Sequence, residues 1–251
     1  MRKLKNFTIF FILTMLFVMV GGPSPDVLAS PKAVAPNLGS AASFVALASS
    51  TLTNTGSGIF YGNVGVSPGT SVTGFPPGTI ISGTIHTADA VAAQAQTDAN
   101  SAYVNLTSQA CAVDLTGQDL GGMTLDPGVY CFDTSAQLTG DLVLDAQGDP
   151  LAVWVFQMGS TLTTASASSV AAINGGQALN VFWQVGSSTT LGTGTRFIGN
   201  ILAYVSITLD TGAGLTGRAL ALNGAVTMNT TGSPLITNIA LSQLYLPLIK
   251  R

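Results

Sequence analysis

The feature that most constrains this chain is an in-phase repeat in its C-terminal third. Ser188-Thr189-Thr190-Leu191-Gly192 recurs as Ser206-Ile207-Thr208-Leu209-Asp210 and again as Ala225-Val226-Thr227-Met228-Asn229. The middle threonines, Thr190, Thr208 and Thr227, lie eighteen and then nineteen residues apart. Apolar runs from Arg196 to Tyr204 and from Thr216 to Leu222 fill the intervals. Such a period holds about three short strands, which is one coil of a solenoid with a triangular cross-section. An antiparallel sandwich is the alternative; it would show turn signals every 8–12 residues but no such in-phase repeat.

Successive side chains of a strand point to opposite faces. The alternation places Leu191, Ile207, Leu209, Val226 and Met228 inward. Thr190, Thr208 and Thr227 then point outward, with Ser188, Ser206 and Ala225 two residues before them and Asn229 two residues after the last. Thr161-Leu162-Thr163 obeys the same rule and puts Thr161 and Thr163 outside, one irregular coil earlier. A single segment departs from period two. Ala88, Val91, Ala92, Ala95, Ala99, Ala102, Tyr103 and Leu106 follow helical spacing, which predicts a helix over about 88–106. Thr87 is its expected N-cap and Asp89 suits the positive end of the helix dipole. The alanine-rich inner face lets such a helix lie close against a flat sheet. The predicted class is mainly β, a solenoid with one long helix packed alongside.

Composition narrows the partners. All eleven acidic residues are Asp, and between Asn37 and Gln243 the only basic side chains are Arg196 and Arg218. So few cations argue against nucleic acid, whose phosphates Lys and Arg must neutralise, and against an anionic membrane surface. The body must stay soluble on Thr, Ser, Asn, Gln and Gly, and the sequence holds thirty Thr, all but Thr8 and Thr14 beyond the expected signal. At the N-terminus, Arg2, Lys3 and Lys5 precede the apolar run Phe7 to Val20 and then Val27-Leu28-Ala29, the order of a secretory signal peptide. The expected layout is a signal over 1–29, a leader over 30–37, one domain over 38–243 with no membrane insertion of the mature chain, and a short apolar tail over 244–251. In an oxidising compartment, Cys111 and Cys131 read as one disulfide.

Catalytic and metal chemistry find little to build on. His86 is the single histidine and is expected to cap or pack. Asp141, Asp145 and Asp149 lie in one loop-rich stretch but lack the nonapeptide rhythm of calcium β-rolls. Trp154 and Trp183 sit in strongly apolar strands and read as core. No enzyme, cofactor or metal is expected. What remains to be explained is an outer face carrying Thr instead of Lys or Glu. Coils stack about 4.7–4.9 Å apart, so aligned Thr rows form a two-dimensional lattice of hydroxyls and methyls. Thr is stiff at χ1, which makes that lattice rigid in advance. Its methyls restrict neighbouring water while its hydroxyls anchor it.

Several further stretches occur in a telling order. Leu38-Gly39-Ser40-Ala41-Ala42-Ser43-Phe44-Val45-Ala46-Leu47-Ala48 is followed by Thr53-Asn54-Thr55-Gly56 and Gly62-Asn63-Val64-Gly65-Val66-Ser67-Pro68-Gly69. After the helix come Leu125-Asp126-Pro127-Gly128-Val129-Tyr130, Val153-Trp154-Val155-Phe156-Gln157 and Val181-Phe182-Trp183-Gln184-Val185-Gly186, then Phe197-Ile198-Gly199-Asn200-Ile201-Leu202-Ala203 and Gly217-Arg218-Ala219-Leu220-Ala221. In this order they resemble the secreted microbial ice-binding proteins of the DUF3494 type, over about Leu38 to Ser242. The resemblance implies a right-handed, spatially discontinuous solenoid whose first coil packs next to its last. It also implies adsorption to an ice crystal surface through one flat face, with thermal hysteresis or inhibition of recrystallisation, by a chain expected to be a monomer. Some members carry Thr-Gly/Ala-x-Thr/Asn in the site. Thr193-Gly194-Thr195-Arg196 and Thr211-Gly212-Ala213-Gly214 match only its first half, which adds Thr193 and Thr211 to the expected site. The rival reading is an extracellular adhesion module using the same face on polysaccharide or protein.

Overall fold

Apolar inward positions and glycine-cut turns drive the chain into coils whose strands all pair in parallel. The computed structural model describes residues 32–231 and 235–237; the expected signal peptide and C-terminal tail lie outside them. Strands line three sides. One side is a seven-stranded sheet built from Ala136–Leu138, Leu162–Thr164, Thr189–Leu191, Ile207–Leu209, Val226–Met228, Thr51–Asn54 and Ser71–Thr73, in that spatial order. The other two sides share a fifteen-stranded sheet. Its long strands Arg196–Ala203 and Gly214–Ala221 each run along both sides. Both bend at glycine. A side chain at Gly217, whose φ is +155°, would meet the carbonyl oxygen of Gly199 at 1.8 Å, so only glycine lets the rungs stack there.

The chain is discontinuous in space. Phe44–Ala48 pairs with Gly214–Ala221, Thr51–Asn54 with Val226–Met228, and Ile59–Tyr61 with Leu235–Thr237. The first coils therefore extend the stack beyond the last repeat. The helix then returns the chain to the other end of the stack.

That helix spans Ala90–Thr107, and its N-cap is Asp89, not Thr87. Asp89 Oδ1 accepts from Ala92 N–H at 2.8 Å, whereas Thr87 ends the strand Ile85–Thr87. Asp satisfies a free helical N–H and adds the favourable charge at the same position. His86 secures this cap: its Nδ1 lies 2.8 Å from Asp89 Oδ2, and its ring packs on Phe44. Ala92, Ala95, Ala99, Ala102 and Leu106 are buried against Leu47, Leu220, Leu202, Phe182 and Val155. At about 1.5 Å per residue, a helix of this length bridges several rungs, which alanine allows at close approach. Val91, expected on the inner face, is exposed. Part of the expected leader is packed as well: Ala33 is buried in the same cluster, and Gln109 clasps both backbone groups of Val34.

The interior carries a stack of aromatic rings. Tyr130, Phe156 and Trp183 stack on successive rungs, and Trp183 packs on Phe197. Trp154 and Trp183 are fully buried, with indole N–H groups donating to the carbonyls of Leu125 and Ile198. Arg218, also buried, donates to the carbonyl of Ala42 through Nε and Nη2 and to Asn200 Oδ1 through Nη1. It thereby pins the N-terminal segment to the last repeat, and desolvation pulls its pKa from 12.5 down to about 10. A disulfide joins Cys111, just past the helix, to Cys131, with a Cα–Cα distance of 5.9 Å.

Candidate functional site: a flat row of threonines

The seven-stranded sheet exposes one side of each short strand. Buried Leu138, Leu162, Leu191, Ile207, Leu209, Val226, Met228 and Leu52 hold its inner side on the core. With a side-chain period of two, the strand residue next to each of these buried ones must then face outward. Pairing places Gln137, Thr163, Thr190, Thr208, Thr227, Thr53 and Thr73 directly beside one another across all seven strands. Six of these seven neighbours are threonine.

The ten expected site residues fall on this side, in three lines. Thr163, Thr190, Thr208 and Thr227 form the central row just described. Thr161, Ser188 and Ser206 form a second row two residues earlier, stacked by backbone bonds from Ala136 to Thr161, from Leu162 to Ser188 and from Thr189 to Ser206. Thr193, Thr211 and Asn229 stack on the turn that follows, where Ala167, Gly194 and Gly212 donate to their carbonyls. Gly194 and Gly212, with φ of +69° and +71°, hold the left-handed turn that presents Thr193 and Thr211 to solvent. Thr195, in contrast, is fully buried and bonds Thr164.

The three lines differ in what their polar groups already do. In the second row, Thr161 donates to Ser135, Ser188 Oγ accepts from Ser206 N–H, and Ser206 Oγ accepts from Ala225 N–H. These hydroxyls tie rung to rung. On the turn, Asn229 donates to Thr211 Oγ1 and accepts from Thr231. In the central row, Thr163, Thr190, Thr208 and Thr227 make no side-chain hydrogen bond among the described residues. Each therefore offers a donor, acceptor sites and a methyl to the outside. None of the residues in the three lines is charged.

Thr53 and Thr73 extend the row, yet the repeat reading passed over them as face residues. Their local pattern, Thr51-Leu52-Thr53, alternates like the repeats. The signal is weak because Thr53 joins the repeats through Thr227, at the other end of the chain, and Thr73 joins them only through Thr53.

Among the described residues no cluster of His, Cys, Asp or Glu is arranged to hold a metal ion. Asp145 is occupied by Gln147 N–H and Asn174, and Asp149 by Leu151 N–H.

Comparison with known proteins places this geometry. The Ice-binding-like family model matches residues 46–233. An ice-binding protein of Nostoc sp. (strain HG1) is 61% identical over 194 residues, covering 77% of this chain and 71% of that protein. The crystal structure of an ice-binding protein from the Antarctic ascomycete Antarctomyces psychrotrophicus aligns with a TM-score of 0.77 at 42% identity, covering 81% of this chain and 98% of that one. That of an ice binding protein from an Antarctic biological consortium aligns at 0.79 and 44% identity, covering 85% and 95%. The matched stretch includes every repeat that carries the threonine row, and the chain belongs to the Ice-binding-like family.

Proposed function

We propose that this chain binds ice and that the outward row from Thr163 to Thr73 is its adsorbing surface. The observation that carries the reading is the unspent central row. Four in-register threonines keep hydroxyl and methyl free, while the neighbouring serine row uses its hydroxyls to fix the spacing between coils. Parallel rungs repeat at about 4.8 Å, and β-branched side chains on a sheet lose little further freedom on binding. Water held by the hydroxyls and fenced by the methyls can therefore join a crystal lattice with little reordering. A Lys or Glu would instead hold a hydration shell of the wrong geometry.

Adsorption of this kind involves no bond making. The chain acts by pinning a growing crystal so that the ice front bulges between bound molecules, which lowers the local freezing point and slows recrystallisation. It works outside the cell, as the N-terminal signal pattern implies, and as a single chain. Exposed aromatic side chains on this face would favour the rival adhesion reading, and the row offers Thr and Gln only.

Ice-affinity partition of the purified chain tests the proposal. The protein should enter a slowly grown ice shell and leave an inert protein of similar size behind in the liquid. Exclusion from the ice would overturn the reading.

A further inference from the structure

The helix-covered side carries a feature that ice adsorption does not use. Under the N-terminal half of the helix, the outward row of the sheet is apolar: Leu47, Leu220 and Leu202 stand side by side. On the next two rungs the same row becomes Gln184 and Gln157. Gln157 is explained by the helix end, because its amide donates to the carbonyls of Leu106 and Gln109. Gln184 is not. It is 5% exposed, and its amide N–H₂ donates to the Tyr103 hydroxyl at 2.8 Å. A leucine would fill that rung at no polar cost.

A groove of about 440 Å³ opens here, lined by Tyr103, Thr107, Gln157, Gln184 and Tyr204 over Met158. Its size lies at the lower end of ordinary small-ligand sites. The two tyrosine rings are 6.0 Å apart and inclined at 42°, and Tyr204 is 49% exposed. No charged side chain lines it. Because Gln184 donates to the Tyr103 oxygen, the Tyr103 proton is left to donate to another acceptor. A hydroxyl donor thus stands next to the half-exposed Tyr204 ring.

We propose that this groove is a binding subsite for an uncharged polysaccharide, separate from the threonine face. A pyranose ring offers what the groove accepts: an apolar C–H face for Tyr204 and adjacent hydroxyls for the Tyr103–Gln184 pair. The absence of charge disfavours a uronate or sulfated chain, which would lose hydration without a cation to replace it. The groove opens where Gly159 and Gly186 turn the chain toward the threonine sheet. A chain held there to a matrix glycan would keep its ice face free.

The test titrates the ¹⁵N-labelled chain with maltohexaose and, separately, with laminarihexaose. Saturable shifts at Tyr103, Gln184 and Tyr204 with at least one glucan are expected. Tyr204→Ala should weaken binding by about tenfold, the scale of one aromatic contact. Tyr204→Phe should retain most of the affinity, and both variants should partition into ice as the parent does. The proposal is overturned if neither glucan gives saturable shifts, or if Tyr204→Ala binds as tightly as the parent. Loss of binding in Thr208→Tyr would overturn it too, by moving the glycan to the threonine face. So would sedimentation showing self-association through Tyr204, which would make the groove a contact between copies.

Discussion

Thr53 stands in register with Thr227, although one lies near the start of the folded chain and the other near its end. Below them the Thr230 hydroxyl, buried, donates to Asn54 Oδ1 at 2.6 Å. The N-terminal coils are thus spliced onto the last repeat, and the outward row crosses the splice without a break.

If the row acts as one surface, its N-terminal members matter as much as its repeats. Thr53→Tyr should remove thermal hysteresis as fully as Thr208→Tyr, with the unfolding free energy of each variant within about 0.5 kcal/mol of the parent, as for surface changes. Nanolitre osmometry and calorimetric melting on the same samples check this. Activity surviving in Thr53→Tyr would confine the surface to the repeats.

Thr189 occupies an inward position between Leu162 and Ile207, and its buried hydroxyl has no hydrogen-bond partner among the described residues. Thr189→Val keeps the shape and removes the unmet hydroxyl. Stability should rise by about 1 kcal/mol, read from urea unfolding, with hysteresis unchanged because the side chain faces the core.

Arg218 spends its charge on neutral acceptors, the carbonyl of Ala42 and Asn200 Oδ1. Arg218→Ala takes the Nη1 donor from the fully buried Asn200 Oδ1 and opens a cavity. A loss of about 3 kcal/mol is expected. Hydrogen exchange should show the N-terminal segment around Ala42 opening first, since Arg218 ties it to the last repeat ahead of the strand pairing that begins at Ala46.

Asp98 lies on the helix and accepts from the backbone N–H of Ser40, and this bond together with one from Gln94 holds its pKa below the ordinary 3.8. A carboxylate whose folded pKa is depressed stabilises the fold above its unfolded value and loses that contribution as pH falls through the folded one. Melting temperature should therefore decline on acidification below about pH 4, near the unfolded pKa. Asp98→Asn should flatten that part of the profile. An unchanged slope would mean that other carboxylates, such as Asp89 at the N-cap, set the acid limit.

The repeats, the alternation and the alanine stripe by themselves determined a coiled β stack with one flat-docking helix, and they named the outward threonines from Thr163 to Thr227. Those signals are local: a period-two face or an i, i+4 stripe lies within a few residues of itself. The N-cap moved from Thr87 to Asp89 because the choice depends on where the preceding strand ends, and the strand is fixed by its pairing with Asn63–Val66. Only the tertiary structure decided that Thr53 continues the row from Thr227, that Gln184 meets Tyr103, and that Arg218 closes on Ala42. Each joins residues far apart in the chain, and no local pattern encodes which distant rung will supply the neighbour.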